Sequence, residues 1–170
     1  MANELKKPHQ SLKPYLVDLI KKKVLIRNRR KNIVEFELNF KNKIIYDYLV
    51  MAEKQKTLDF LEKEILLNIL FEKLSYYFNK NIFIIFGSAV KNIKTASDID
   101  LLVIGSSNVK EKIEDFENIY NKKVHLMQIK NLKQMSLIFT KELYKKHLIL
   151  NNTETIIRFF GDLYENNKLV

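Results

Sequence analysis

Two carboxylates separated by one residue, Asp98 and Asp100, stand at the head of the apolar run Leu101-Leu102-Val103-Ile104. Residues i and i+2 of a strand share a face, so this spacing holds the acids roughly 6 to 7 Å apart. Paired anions repel unless a cation lies between them, and magnesium favours one or two carboxylates together with phosphate oxygens. Upstream, the apolar segment Asn81-Ile82-Phe83-Ile84-Ile85-Phe86 stops at Gly87 and Ser88. With only three glycines in the chain, one at a strand end marks a tight turn or a close approach of backbone to a ligand. Residues 88–93 read as the start of a short helix, whose free amide groups and the Ser88 hydroxyl converge on a place for an anion. Taken singly, each feature is also met by a plain strand-to-helix turn or a solvated acidic strand entry.

The elements that must position these residues follow from periodicity. Asn81–Phe86 reads as a buried strand, Asp98–Ile104 as a second and Lys123–Ile129 as a third, with an amphipathic helix over Lys110–Tyr120 between the last two. Leu58, Leu61, Ile65, Ile69 and Tyr76 recur at helical spacing and predict one helix over Thr57–Asn79, with acids in its early turns where the dipole favours them. Helices are also expected over Leu132–Lys146 and over 153–166, the latter capped by Thr153. Nearer the start, Leu12, Tyr15, Leu16, Leu19 and Ile20 form one stripe of a helix over 11–23, with Pro14 in its first turn. Val24–Ile26 and Ile33–Leu38 then predict a hairpin whose tip, residues 27–32, is basic. His147 and the tyrosines at 46, 48, 76 and 77 read as core or helix-face residues.

Composition sets the frame. The 170 residues carry 46% apolar side chains and only two prolines, enough to bury a core and too few chain breakers for a disordered or collagen-like chain. No cysteine is present, which excludes disulfides and thiolate zinc sites. No apolar run approaches a membrane span or a signal peptide, so a soluble cytoplasmic chain is expected. The formal charge of +10 is uneven: residues 1–43 carry +8 and residues 44–170 carry +2. That asymmetry fits a surface for a polyanion, or simply a solvated Lys-rich face. A boundary near residues 40–57 separates a basic element, 1–43, from the remainder, 44–170, and Ile44, Ile45, Tyr48, Leu49 and Met51 suggest a packed bridging helix there.

The span Phe86 to Ile104, FGSAVKNIKTASDIDLLVI, resembles the signature of the polymerase-β-like nucleotidyltransferase superfamily, specifically its minimal branch: Gly-Ser, a spacer, then Ser-Asp-hydrophobic-Asp and an apolar strand. The resemblance implies an α/β fold with a small mixed sheet flanked by helices. It also implies transfer of a nucleoside monophosphate from a nucleoside triphosphate, ATP by preference, to an acceptor hydroxyl. Gly87, Ser88, Lys91 and Ser97 would hold the nucleotide, while Asp98 and Asp100 would be the catalytic acids that coordinate two magnesium ions. Lys91 and Lys94 stand where relatives often have Arg and Gly. Active relatives carry a third acid on the next strand, and here Lys123-Val124-His125-Leu126-Met127-Gln128 places His125 in that position. An imidazole adds no negative charge and is a poor magnesium ligand, so His125 reads as a supporting residue.

The N-terminal helix and hairpin resemble the last helix and wing of a winged helix-turn-helix, and Glu142–Phe160 resembles the end of archaeal chains that join the two. DNA contacts would then come from Lys21, Lys22, Lys23, Arg27, Arg29 and Arg30. Partners compatible with the resemblance are a small molecule, a helical toxin-like protein or a second copy of the chain. The alternative is a catalytically impaired module of this fold that binds DNA or a toxin-antitoxin partner.

Overall fold

The computed structural model describes residues 8–31, 33–91, 93, 96–166 and 168–169. The chain divides into two compact units, Met1–Leu49 and Val50–Val170. Among the described residues no helix is long and apolar enough to cross a membrane.

In the first unit, helix α1 (His9–Lys21) leads into strands β1 (Leu25–Arg30) and β2 (Ile33–Leu38). The helix starts two residues earlier than its stripe suggested, so Pro14 lies inside it, where it cannot donate to the Gln10 carbonyl. The hairpin also differs from expectation. Its ladder runs to the Arg30–Ile33 pair, with Lys31 just beyond β1 in the left-handed region at φ 52°. Asn32 lies outside the described residues. Arg27, Arg29 and Arg30 are therefore strand residues and not loop residues, because they pair across the antiparallel ladder with Phe36, Val34 and Ile33 respectively.

The second unit is built on a four-stranded sheet in the order β5-β4-β3-β6. Its strands are β3 (Asn81–Phe86), β4 (Ile99–Gly105), β5 (Val124–Ile129) and β6 (His147–Ile149). β3 runs antiparallel to β4 and β6, while β4 and β5 are parallel. The parallel pair needs a crossover, supplied by α4 (Lys110–Tyr120). The expected mixed α/β architecture is what forms. Central β4 is buried along Leu101–Ile104, which explains its uninterrupted apolar sequence. Phe83, Ile85, Leu101 and Val103 pack with Ile113 and Phe116 of α4 and with Leu67, Leu70 and Leu74. Burial of each such side chain stabilises by about 1.5–3 kcal/mol.

The helix expected over Thr57–Asn79 is instead two, α2 (Ile45–Lys63) and α3 (Ile65–Ser75), broken at Glu64 with φ −116° and ψ 88°. A continuous helix advances about 100° per residue, placing Leu61 roughly opposite Leu70. The break turns both into the core, where Leu61 is 7% exposed and Leu70 is 0% exposed. The helix expected over Leu132–Lys146 is likewise divided, into a short 3-10 turn at Leu132–Gln134 and α5 (Leu137–Lys145), which Ser136 caps through its hydroxyl. α6 spans Thr153–Glu165, but Asn152, at φ 51°, occupies the cap position in place of Thr153. The Asn152 amide donates to the Phe78 carbonyl at 3.3 Å, so it is directed away from the helix start.

Strand β6 was not expected from the sequence. Its His147 is buried, and Nδ1 lies 2.9 Å from the Leu143 carbonyl, to which it donates. Nε2 is 3.3 Å from Glu53 Oε2 on α2, and Lys56 Nζ lies 2.8 Å from the same oxygen. Burial pushes the Glu53 carboxyl up, but the bonds and charges of His147 and Lys56 outweigh it and hold the group below its usual range. A carboxyl depressed in the folded state stabilises above its unfolded value near 4.5, and that contribution is lost as pH falls through the folded value. We expect Glu53→Gln to cost about 1–3 kcal/mol in urea unfolding at neutral pH. The gap to wild type should narrow on acidification below about pH 4.5; a gap independent of pH would show that the ionised carboxylate contributes nothing.

Candidate functional site

Three residues from three strand ends converge at one rim of the sheet. Phe86, the last residue of β3, pairs with Asp100 on β4, and Asp100 pairs in turn with His125 on β5. Directly opposite residues in neighbouring strands project to the same face, so the ladder delivers the imidazole to the carboxylate. His125 Nδ1 lies 3.2 Å from Asp100 Oδ1. The Asp100 side chain is 27% exposed and the His125 side chain 68%, which makes the acid the more enclosed partner.

Gly87 follows Phe86 with φ +71°, and a Cβ placed on it would run into Asp100 Oδ2. Glycine suits the position for two reasons: the left-handed backbone favours it, and any side chain there would displace the Asp100 carboxylate. Residues Gly87–Val90 form a 3-10 turn, in place of the start of an α-helix, with the Ser88 carbonyl accepting from Lys91 N at 3.0 Å. Ser88 and Lys91 are exposed on this turn. One carboxylate oxygen of Asp100 therefore faces the glycine turn and the other faces His125.

Asp98 stands differently. β4 begins at Ile99, one residue later than expected, so Asp98 lies in the bend before the strand and the ladder does not fix it. Its Oδ2 accepts from Ser97 Oγ at 3.3 Å. Ile99 between the two acids is fully buried and its amide donates to the Lys123 carbonyl at 2.9 Å, which anchors the entry of the strand. Lys122 Nζ donates to the Ala96 carbonyl and ties down the segment just upstream. Lys94 lies outside the described residues.

Among the described residues, no cluster of three or more acid, histidine or cysteine side chains is placed to hold a metal by itself. The donors at this rim fit a hard cation that keeps most of its ligands from water and phosphate: two carboxylates, with Asp100 Oδ2 directed to the glycine turn. His125 supplies no anionic oxygen. Two neighbours of the rim were not legible in the motif. The Phe139 ring of α5 packs edge-on to Phe86 at 5.3 Å, and His147 pairs with Phe86 on its other side; both depend on contacts distant in sequence, for which no local spacing signals.

Among the described residues, the lysines and arginines expected to contact DNA are divided between the end of α1 and the two faces of β1. Lys21, Lys22 and Lys23 are exposed at the end of α1. Lys22 is 2.9 Å from Asp18, a bond that raises its ammonium pKa, and lies 5.9 Å from the Tyr48 ring centre. On β1, Arg27 and Arg29 project to one face and Arg30 to the other, where Arg30 is 3.6 Å from Glu35.

Residues 63–160 match the family model described as a nucleotidyltransferase domain. No curated protein matches the chain. Among solved structures, similarity is found to a toxin-antitoxin with AMP-PNP, at 19% identity and TM-score 0.44 over 59% of this chain and 88% of that one. A complex of tri-AMPylated Shewanella oneidensis HEPN toxin with MNT antitoxin is similar at 18% identity and TM-score 0.42, covering 61% of this chain and 87% of that one. A mutant of the toxin-antitoxin MntA-HpeT follows at 16% identity and TM-score 0.43, over 59% and 88%.

Proposed function

The chain belongs to the nucleotidyltransferase domain family, and from that premise we propose that it moves a nucleoside monophosphate from a nucleoside triphosphate, ATP first, to a hydroxyl of a protein or small molecule. The observation that carries this reading is the Asp100 carboxylate seated against the Gly87 turn. An acid and a phosphate cradle have reason to meet so closely when a cation is to join them. In this reading Gly87, Ser88, Lys91 and Ser97 bind the triphosphate, and Asp98 and Asp100 hold magnesium. The acceptor oxygen attacks the α-phosphorus, a new P–O bond forms as the bond to the β-phosphate oxygen breaks, pyrophosphate leaves, and the hydroxyl proton passes to water. Bound magnesium would supply neutralisation of charge on the phosphates and on the reacting oxygens. The side chains contribute position and charge.

Calorimetry with ATP, with and without magnesium, tests the reading. Wild type should bind ATP in a magnesium-dependent manner, and Asp100→Asn should weaken binding about tenfold or more, since one anionic ligand is lost. If wild type binds no nucleoside triphosphate in magnesium, the proposal fails.

His125, beside Asp100 where relatives carry a third acid, favours a second reading: a module that keeps the fold while its transfer chemistry is impaired, serving DNA or a toxin-antitoxin partner. That reading expects nucleotide binding without pyrophosphate release. It also expects salt-sensitive duplex binding that survives Asp98→Ala.

A further inference from the structure

We propose that the first unit carries a docking groove for an acidic amphipathic helix of a partner protein. A groove of about 400 Å³ lies between α1 and the hairpin. Its helix wall is one stripe, Leu16, Val17 and Ile20, and its hairpin wall is Val34 and Phe36. The register explains the hairpin wall: Arg27–Phe36 and Arg29–Val34 are direct pairs, so all four side chains share the face that looks toward α1. Two amphipathic surfaces thus confront each other without closing. Val17 remains 43% exposed and Val34 39% exposed. An apolar trough walled by a helix and a strand pair fits the helix-in-groove mode of recognition, in which side chains at i, i+3, i+4 and i+7 fill the floor.

Charge selects the kind of helix. Lys13 and Arg27 line the groove and no carboxylate does. Among the described residues neither cation has an ion-pair partner, whereas the nearby acids Asp18 and Glu35 are occupied by Lys22 and Arg30. Residues 1–43 carry +8 overall. An incoming helix with acidic flanks would therefore meet unpaired cations on both walls, and a basic one would meet repulsion. A nucleic acid backbone is the poorer fit, because its hydrated phosphates would lie over Leu, Val and Phe side chains. A second copy of the chain is poorer too. Among the described residues its acidic amphipathic helices, α4 and α6, already commit Ile113 and Phe116, and Ile156, Ile157 and Phe160, to the core.

The test uses the full chain and a fluorescent helical peptide of about 18 residues with Leu at i, i+3, i+4 and i+7 and Glu elsewhere. The comparison probes are the same peptide with Lys for Glu and a duplex DNA of about 20 base pairs. The Glu peptide should bind at least about tenfold more tightly than its Lys twin. Val17→Asp with Val34→Asp, both at exposed positions, should reduce that binding about tenfold or more while the circular dichroism of the chain is unchanged. Lys13→Glu with Arg27→Glu should invert the preference toward the Lys peptide, a result that misfolding does not produce. Equal binding of the two peptides, binding unaffected by the valine changes, displacement of the Glu peptide by the duplex, or dimerisation that blocks the peptide would each overturn the proposal.

Discussion

Asp100→Ala should reduce magnesium-dependent transfer by about 10³-fold or more, and Asp98→Ala by a comparable factor, while His125→Ala costs about tenfold or less. The asymmetry rests on charge. Each aspartate would supply an anionic oxygen to the metal, and removing one leaves the other to offset a divalent ion and a triphosphate alone. Among the described residues His125 meets the site through Asp100 Oδ1, at 3.2 Å, so its removal frees that oxygen without removing a negative charge. The two aspartates should part company in a second measurement, stability. Asp100 is held within the β4 ladder and faces the glycine turn, so its loss changes urea unfolding. Asp98 sits before the strand, bonded to neighbouring Ser97, and its loss should leave unfolding nearly unchanged. Pyrophosphate release and nucleotide binding on the same three variants check this. Should His125→Ala prove as damaging as Asp100→Ala, the imidazole acts on the reacting groups directly and the division of roles proposed above is wrong.

What the sequence disclosed of this site follows a simple division between local and distant information. Strand β3 and helix α4 were legible to the residue, because a run such as Ile-Phe-Ile-Ile-Phe or an amphipathic stripe records its own burial. Gly87 was legible because a scarce residue at a strand end has few other reasons to be there. The meeting of Asp100 with Gly87 and His125 could be expected only through the resemblance to a known signature, since antiparallel and parallel registers set it across separate stretches of chain. Strand β6 escaped for a related reason. His147, Leu148 and Ile149 are too few to show a period of two, and what makes them a strand is the edge that β3 offers. The break at Glu64 was hidden because both flanking segments favour helix. Only the demand that Leu61 and Leu70 enter one core divides them. In the first unit, alternation along β1 divides the arginines between two faces, which a count of basic residues does not reveal.

Gly87→Ala should lose magnesium-dependent nucleotide binding altogether and destabilise the fold by about 2–4 kcal/mol, from two separable causes. An L residue at φ +71° costs about 1–2 kcal/mol relative to glycine in the left-handed region. The remainder arises because the new methyl and the Asp100 carboxylate require the same space, so the acid must leave its rotamer or the turn must open. A double-mutant cycle separates them. In an Asp100→Ala background the carboxylate is gone, and Gly87→Ala should cost only the backbone part, making the two changes less than additive by about 1–2 kcal/mol in urea unfolding. Full additivity would mean that the glycine serves the turn alone and that the close approach of the acid has no energetic consequence. The cycle needs no substrate, so it examines the architecture of the rim independently of which acceptor, if any, the chain modifies. Ser88→Ala, one residue further on an exposed turn, should leave stability within about 0.5 kcal/mol of wild type, which confines the expected penalty to the position where chain and carboxylate meet.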